Sequence, residues 1–126
     1  MTPQSAAVPN IGAMSAFVGA FDVPSKLTDI VYHCRFSHMW NGIATRHADT
    51  IDTKFFVDGR AVVIGLAHTA FYEFRERTKR DLSDREASFI AAEYLRERLE
   101  EEDDQHDLYD VPKAEVLRLI EKRQLK

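Results

Sequence analysis

Phe55-Phe56-Val57-Asp58-Gly59-Arg60-Ala61-Val62-Val63-Ile64 is the stretch on which the fold turns, two runs rich in aromatic and β-branched residues around an Asp-Gly pair. A primed two-residue turn needs positive φ at both central positions, which Asp and Gly tolerate. The hairpin register then sets Val57 against Arg60, Phe56 against Ala61, Phe55 against Val62 and Thr53 against Ile64. One face carries Phe55, Val57, Val62 and Ile64, and the other Asp52, Lys54, Phe56, Ala61 and Val63. The second face is only half polar. That predicts cover from an N-terminal arm or a partner subunit.

Upstream, Ile30, Tyr32, Cys34 and Phe36 alternate with Val31, His33, Arg35 and Ser37, the period of a half-buried strand over residues 27–37. Trp40-Asn41-Gly42 reads as a turn and residues 43–50 as loop. Still earlier, Ile11, Met14, Val18 and Phe21 recur at helical spacing after Asn10, a cap residue, while Gly12 and Gly19 oppose a helix. A floppy arm and a short docking helix both fit residues 1–25. The polar, Pro-broken first ten residues are expected to be mobile.

Downstream the period lengthens. Ala70, Phe71 and Phe74 give an inward stripe over residues 69–79. Ser83-Asp84-Arg85-Glu86 is a capping box, opening a helix to about residue 101 with Ala87, Ile90, Ala91, Tyr94, Leu95 and Leu99 inward. A last helix is expected with Asp110 as its cap, Pro112 in its first turn, and Val116, Leu117 and Ile120 inward.

Composition narrows the class. The chain has 126 residues, 44% of them apolar and 30% charged, a net charge of −4 and one Cys, which excludes collagen, coiled-coil and disulfide-scaffold proteins. A lone Cys34 and the lack of any Lys or Arg before Lys26 point to a cytoplasmic protein without a secretory leader or membrane span. The net negative charge gives no support to general phosphate-backbone binding, so a nucleic-acid role would need a local patch.

Three groups invite chemistry, each beside a plainer reading. Cys34, His33, His38, His47 and His68 suggest a metal, but His33 and Cys34 point to opposite faces of a strand, and Cys34 and His38 on one face would stand about 13 Å apart. No metal or cofactor is expected. Arg75, Arg77, Lys79, Arg80 and Arg85 imitate a helix-turn-helix reader, yet the helix that follows carries six acids against three Arg, and Glu73, Glu76 and Asp81 are placed to pair the bases. Glu100-Glu101-Glu102-Asp103-Asp104, with Asp107 and Asp110, lies at a helix's carbonyl end, where acids are unfavourable. It reads as a solvated terminus, a docking strip for a basic partner or a weak cation site.

The sequence therefore predicts an α+β domain over residues 26–126, a three-stranded antiparallel meander (27–37, 53–57, 60–64) followed by three helices packed on one face, with a flexible N-terminal arm over 1–25. The expected core includes Ile30, Tyr32, Phe36, Phe55, Val62, Ile64, Phe71, Phe74, Ile90, Tyr94, Leu95, Leu117 and Ile120. No nucleophile elbow, Gly-rich phosphate cradle or His-Glu metal pair occurs, so the leading expectation is a small non-catalytic binding or regulatory protein. Its partner is a second copy or another protein, met through Phe56, Ala61 and Val63 with or without Ile11, Met14, Val18 and Phe21. The alternatives are a small enzyme or small-ligand binder with a pocket near Trp40, His47 and His68, and a nucleic-acid-binding regulator using the Arg75, Arg77, Lys79, Arg80 and Arg85 cluster.

Overall fold

A computed structural model describes residues 17–126. The hairpin forms as expected. β3 (Thr50–Val57) and β4 (Arg60–Ala67) pair antiparallel with Val57 opposite Arg60, Phe56 opposite Ala61, Phe55 opposite Val62 and Thr53 opposite Ile64. Asp58 and Gly59 take φ of 49° and 87°. Asp58 Oδ1 also accepts the His33 amide at 3.1 Å, while the Asp58 amide donates to the His33 carbonyl, tying the turn to the neighbouring strand.

Among the described residues the sheet around this hairpin has five strands rather than three, in the order β1-β2-β3-β4-β5. β1 (Ala20–Pro24) and β2 (Val31–Asn41) extend the antiparallel meander, with Phe21 opposite Cys34 and Cys34 opposite Val57. The helical reading of residues 11–21 thus fails at its C-terminal end, where Ala20 and Phe21 are extended, and residues 20–24 join the sheet although they fall within the span assigned to an arm. Ile11 and Met14 lie outside the described residues. Ile30 is 49% exposed instead of core. It closes the β1–β2 turn, its carbonyl accepting the Ser25 amide at 2.9 Å, while the Ser25 and Thr28 hydroxyls accept the following amides.

β2 carries a bulge between Phe36 and His38. One extra residue reverses the alternation, so Cys34 and Phe36 face the core while His38 and Trp40 face outward with Arg35. Cys34 and His38 therefore do not share a face. Asn41 is not a turn but a cap: its side chain accepts the Ile43 amide at 2.8 Å and starts a five-residue helix, α1 (Gly42–Arg46), where loop was expected.

The C-terminal half begins with α2 (His68–Thr78) and α3 (Asp84–Glu100), and the capping box between Ser83 and Glu86 is complete. These two helices form the crossover that lets β5 (Leu108–Val111) pair parallel to β4, with Val63 opposite Leu108 and Ile64 opposite Tyr109. Asp110 sits in this strand and does not cap α4 (Lys113–Lys122), whose N-cap is Pro112. Leu119 is buried with Val116 and Ile120, and Leu117 only partly.

The helices cover one face of the sheet. Val23, Cys34, Phe55, Val57, Val62, Ile64, Leu66, Tyr109 and Val111 meet Ala70, Phe74, Ile90, Leu95, Leu99, Val116 and Leu119 in one cluster. Val18 belongs to that core, its amide donating to the buried Ser88 Oγ at 3.0 Å. No helix among the described residues is long and apolar enough to cross a membrane.

Candidate binding face of the sheet

The opposite face of the sheet carries, by register, Ala20-Arg35-Phe56-Ala61 in one row, His38-Lys54-Val63-Leu108 in the next and Trp40-Asp52-Gly65-Asp110 in the third. α1 touches the last of these rows. Arg46, at its C-terminal end, lays its guanidinium on β3: Nε is 2.8 Å from Asp52 Oδ2 and Nη2 2.9 Å from Asp52 Oδ1. The same Nη2 reaches Asp110 Oδ1 at 2.6 Å on β5, and Thr50 Oγ1 donates to Asp52 Oδ1 at 2.7 Å. Burial pushes the Asp52 carboxyl up, but the bonds from Arg46 and Thr50 outweigh it and hold it below the ordinary carboxylate range.

Two glycines make room for this clamp. A Cβ on Gly65 would lie 2.5 Å from Arg46 Nη2 and 2.6 Å from Asp52 Oδ1, and one on Gly42 would run into Thr50 Oγ1. Every oxygen of Asp52 is satisfied, so the cluster is a staple between α1, β3 and β5 and has no unoccupied group with which to do chemistry.

The first two rows stay uncovered by the helices. Phe56, half-buried, has the Arg35 guanidinium carbon 4.6 Å and Lys54 Nζ 5.2 Å from its ring centre. Neither cation pairs with a carboxylate among the described residues. Ala61 is exposed, Val63 half-buried and Leu108 44% exposed. Of the proposed contact residues, Phe56, Ala61 and Val63 are therefore on this surface, whereas Val18 and Phe21 face inward, Phe21 edge-on to Phe55 at 6.2 Å.

Trp40, His47 and His68 are engaged with three different partners. Trp40 Nε1 donates to Thr45 Oγ1 at 3.0 Å, exposed His47 closes α1 in the left-handed region, and His68 Nδ1 lies 2.6 Å from Asp49 Oδ1 at the start of α2. No hydroxyl or thiol among the described residues is hydrogen-bonded to the other ring nitrogen of His68. A shallow cleft of about 290 Å³ lies elsewhere, lined by Lys26, Glu97, Arg98, Glu100, Glu101 and Lys122, charges that largely pair with one another.

Of the acidic run 100–104, all but Glu101 are engaged internally. Glu100 pairs with Lys26, Glu102 accepts from Tyr32 and Thr28, Asp103 pairs with Arg98, and Asp104 with Arg60 and Tyr109. The basic cluster is partly spent as well: Arg80 forks onto Glu86 at 2.9 Å and Arg75 reaches Asp81 at 3.6 Å. Sequence reasoning placed Lys54 and Phe56 on one face but missed Arg35 above the ring and the Arg46 clamp, because both join strands or elements distant in sequence. No family model, curated protein or solved structure matches this chain.

Proposed function

We propose that this chain is a non-catalytic binding protein that acts through protein–protein contacts on the uncovered face of its sheet. One observation carries the reading: Arg35 and Lys54 share the Phe56 ring without a carboxylate partner among the described residues, beside exposed Ala61 and Leu108 and half-buried Val63. Two cations held on an aromatic prop beside apolar side chains form a surface that a partner can complete at low entropic cost.

A second copy is the partner expected from the sequence; it would have to meet this face about an axis that keeps Arg35 and Lys54 away from their own counterparts, since like charges set side by side repel. The cytoplasm is the proposed compartment, in keeping with the buried free thiol of Cys34. The test replaces Val63 by Asp, a change to the outward face that leaves the helix-covered core alone. Photo-crosslinking from position 61 in cells is expected to trap a discrete partner in the parent chain and to lose it in the variant. Crosslinking unchanged by Val63→Asp would refute the face as the contact surface.

A further inference from the structure

This inference rests on the sheet face being a docking surface and names what docks there. Among the cations that precede α2, Lys26 has Glu100 at 3.3 Å, Arg46 has Asp52 at 2.8 Å and Arg60 has Asp107 at 3.0 Å. Arg35 and Lys54 alone in that span are left without a carboxylate among the described residues, and both are held against Phe56. Val63 stands directly opposite Lys54, and Leu108 opposite Val63. The face thus divides into a cationic half of Arg35 and Lys54 on β2 and β3, and an apolar half of Ala61, Val63 and Leu108 on β4 and β5. Lys54 to Leu108 crosses two strand spacings, about 10 Å.

We propose that this face captures an extended acidic segment of another protein, carboxylates on Arg35 and Lys54 and an apolar side chain against Val63 and Leu108. An extended chain advances about 3.3 Å per residue and alternates its side chains, so the acidic and apolar positions that meet this face lie an even number of residues apart, two to four. Phe56 contributes by holding the charged heads of both side chains over its ring, so little rotamer freedom is lost when the carboxylates arrive.

Charge complementarity selects this occupant over the others. Residues 1–16 contain no Asp or Glu, so they cannot neutralise the patch. In a second copy Glu100, Glu102, Asp103 and Asp104 are engaged by its own Lys26, Tyr32, Arg98 and Arg60, and of the run 100–104 only Glu101 is left without a side-chain partner among the described residues. Single-stranded nucleic acid needs unobstructed aromatic faces and a longer track of cations, whereas the Phe56 ring carries two cations already and the His38 ring packs 5.0 Å from that of Trp40.

The experiment is amide chemical-shift mapping on the full chain with four probes. They are a Gly/Ser peptide carrying two Glu at alternate positions and a Leu two residues after the second, the same peptide with Lys for Glu, a thymidine oligonucleotide, and the protein alone in a dilution series. The acidic peptide is expected to shift Arg35, Lys54, Phe56, Val63 and Leu108 saturably. Arg35→Glu or Lys54→Glu should weaken it by about ten-fold or more. Lys54→Gln should weaken it less, and Arg85→Glu on the helical side should leave it within about two-fold.

Equal binding of the Lys peptide, or a stronger and steeply salt-dependent response to the oligonucleotide, would overturn the acidic segment as ligand. Shifts of the same residues on dilution alone would assign the face to a second copy, so that the docking reading stands and this one falls. Were no probe to move these residues, both would fall.

Discussion

Arg46 and Asp52, six residues apart in sequence, meet through two hydrogen bonds of 2.8 and 2.9 Å under α1, on the face of the sheet opposite α2, α3 and α4, with the Asp52 side chain only 1% exposed. The pair anchors α1 to β3. Through the second branch of the guanidinium to Asp110 it also anchors the parallel edge strand β5.

Asp52→Asn is expected to lower the unfolding free energy by about 2–4 kcal/mol at neutral pH. Removing one member of a buried pair exposes the other to an uncompensated cost, softened here because Arg46 keeps Asp110. The folded carboxyl titrates below its unfolded value of about 3.8, so its stabilisation is fully present above that pH and is lost as pH falls through the lower folded value. Urea denaturation across pH 2–7 checks both points. A difference between parent and variant that stayed constant down to the most acid pH would contradict them.

Gly65→Ala should cost about 1–3 kcal/mol by forcing Arg46 and Asp52 apart, and Gly42→Ala should act at the same cluster through Thr50. Gly19→Ala meets nothing within 4 Å and should stay within about 0.5 kcal/mol of the parent. Thermal unfolding of the three variants decides it, and equal melting temperatures would dissolve the claim that these glycines serve the clamp.

Gly59→Ala should destabilise by about 1–2 kcal/mol, because its φ of 87° is one that a Cβ penalises. A double-jump folding experiment adds a kinetic reading. An unchanged midpoint in urea would argue that the turn is adaptable and does not fix the register.

Cys34 should be inert to a soluble disulfide reagent in the folded protein and react at the rate of an exposed thiol only in denaturant. Burial pushes its pKa up to about 12, with Asp58, Asp104 and Asp22 adding to the effect. Tyr32, bonded to Glu102, and the buried Tyr109 are raised to about 12 as well. Each of these groups keeps its proton longer in the folded state than in the unfolded chain, so the stability it contributes is intact below its unfolded value and drains away as pH rises toward 12. Fast thiol labelling at neutral pH, or tyrosinate absorbance rising in full near pH 10, would show the burial to be wrong.

Elements whose cause is local could be read from the chain. The Asp58-Gly59 turn fixes a pairing between neighbours in sequence, and the Ser83–Glu86 box needs only four consecutive residues, so register and helix start followed from side-chain chemistry. Lys54, Phe56, Ala61 and Val63 shared a face for the same reason. β1 and β5 were hidden because Ala20–Pro24 and Leu108–Val111 are too short to show a period and pair with strands reached across a turn or two helices.

The candidate binding face divides along the same line. Phe56 pointing away from the core is a matter of two-residue alternation, available to anyone who counts along β3. Arg35 above its ring, Asp110 on Arg46 instead of on a helix end, and the largely neutralised acidic run all depend on which distant segments packing brings side by side. Alternation tells a side chain which way to point, but its partner is set by the closure of the whole sheet under its helices, a non-local balance of burial and chain entropy that no short window of residues contains.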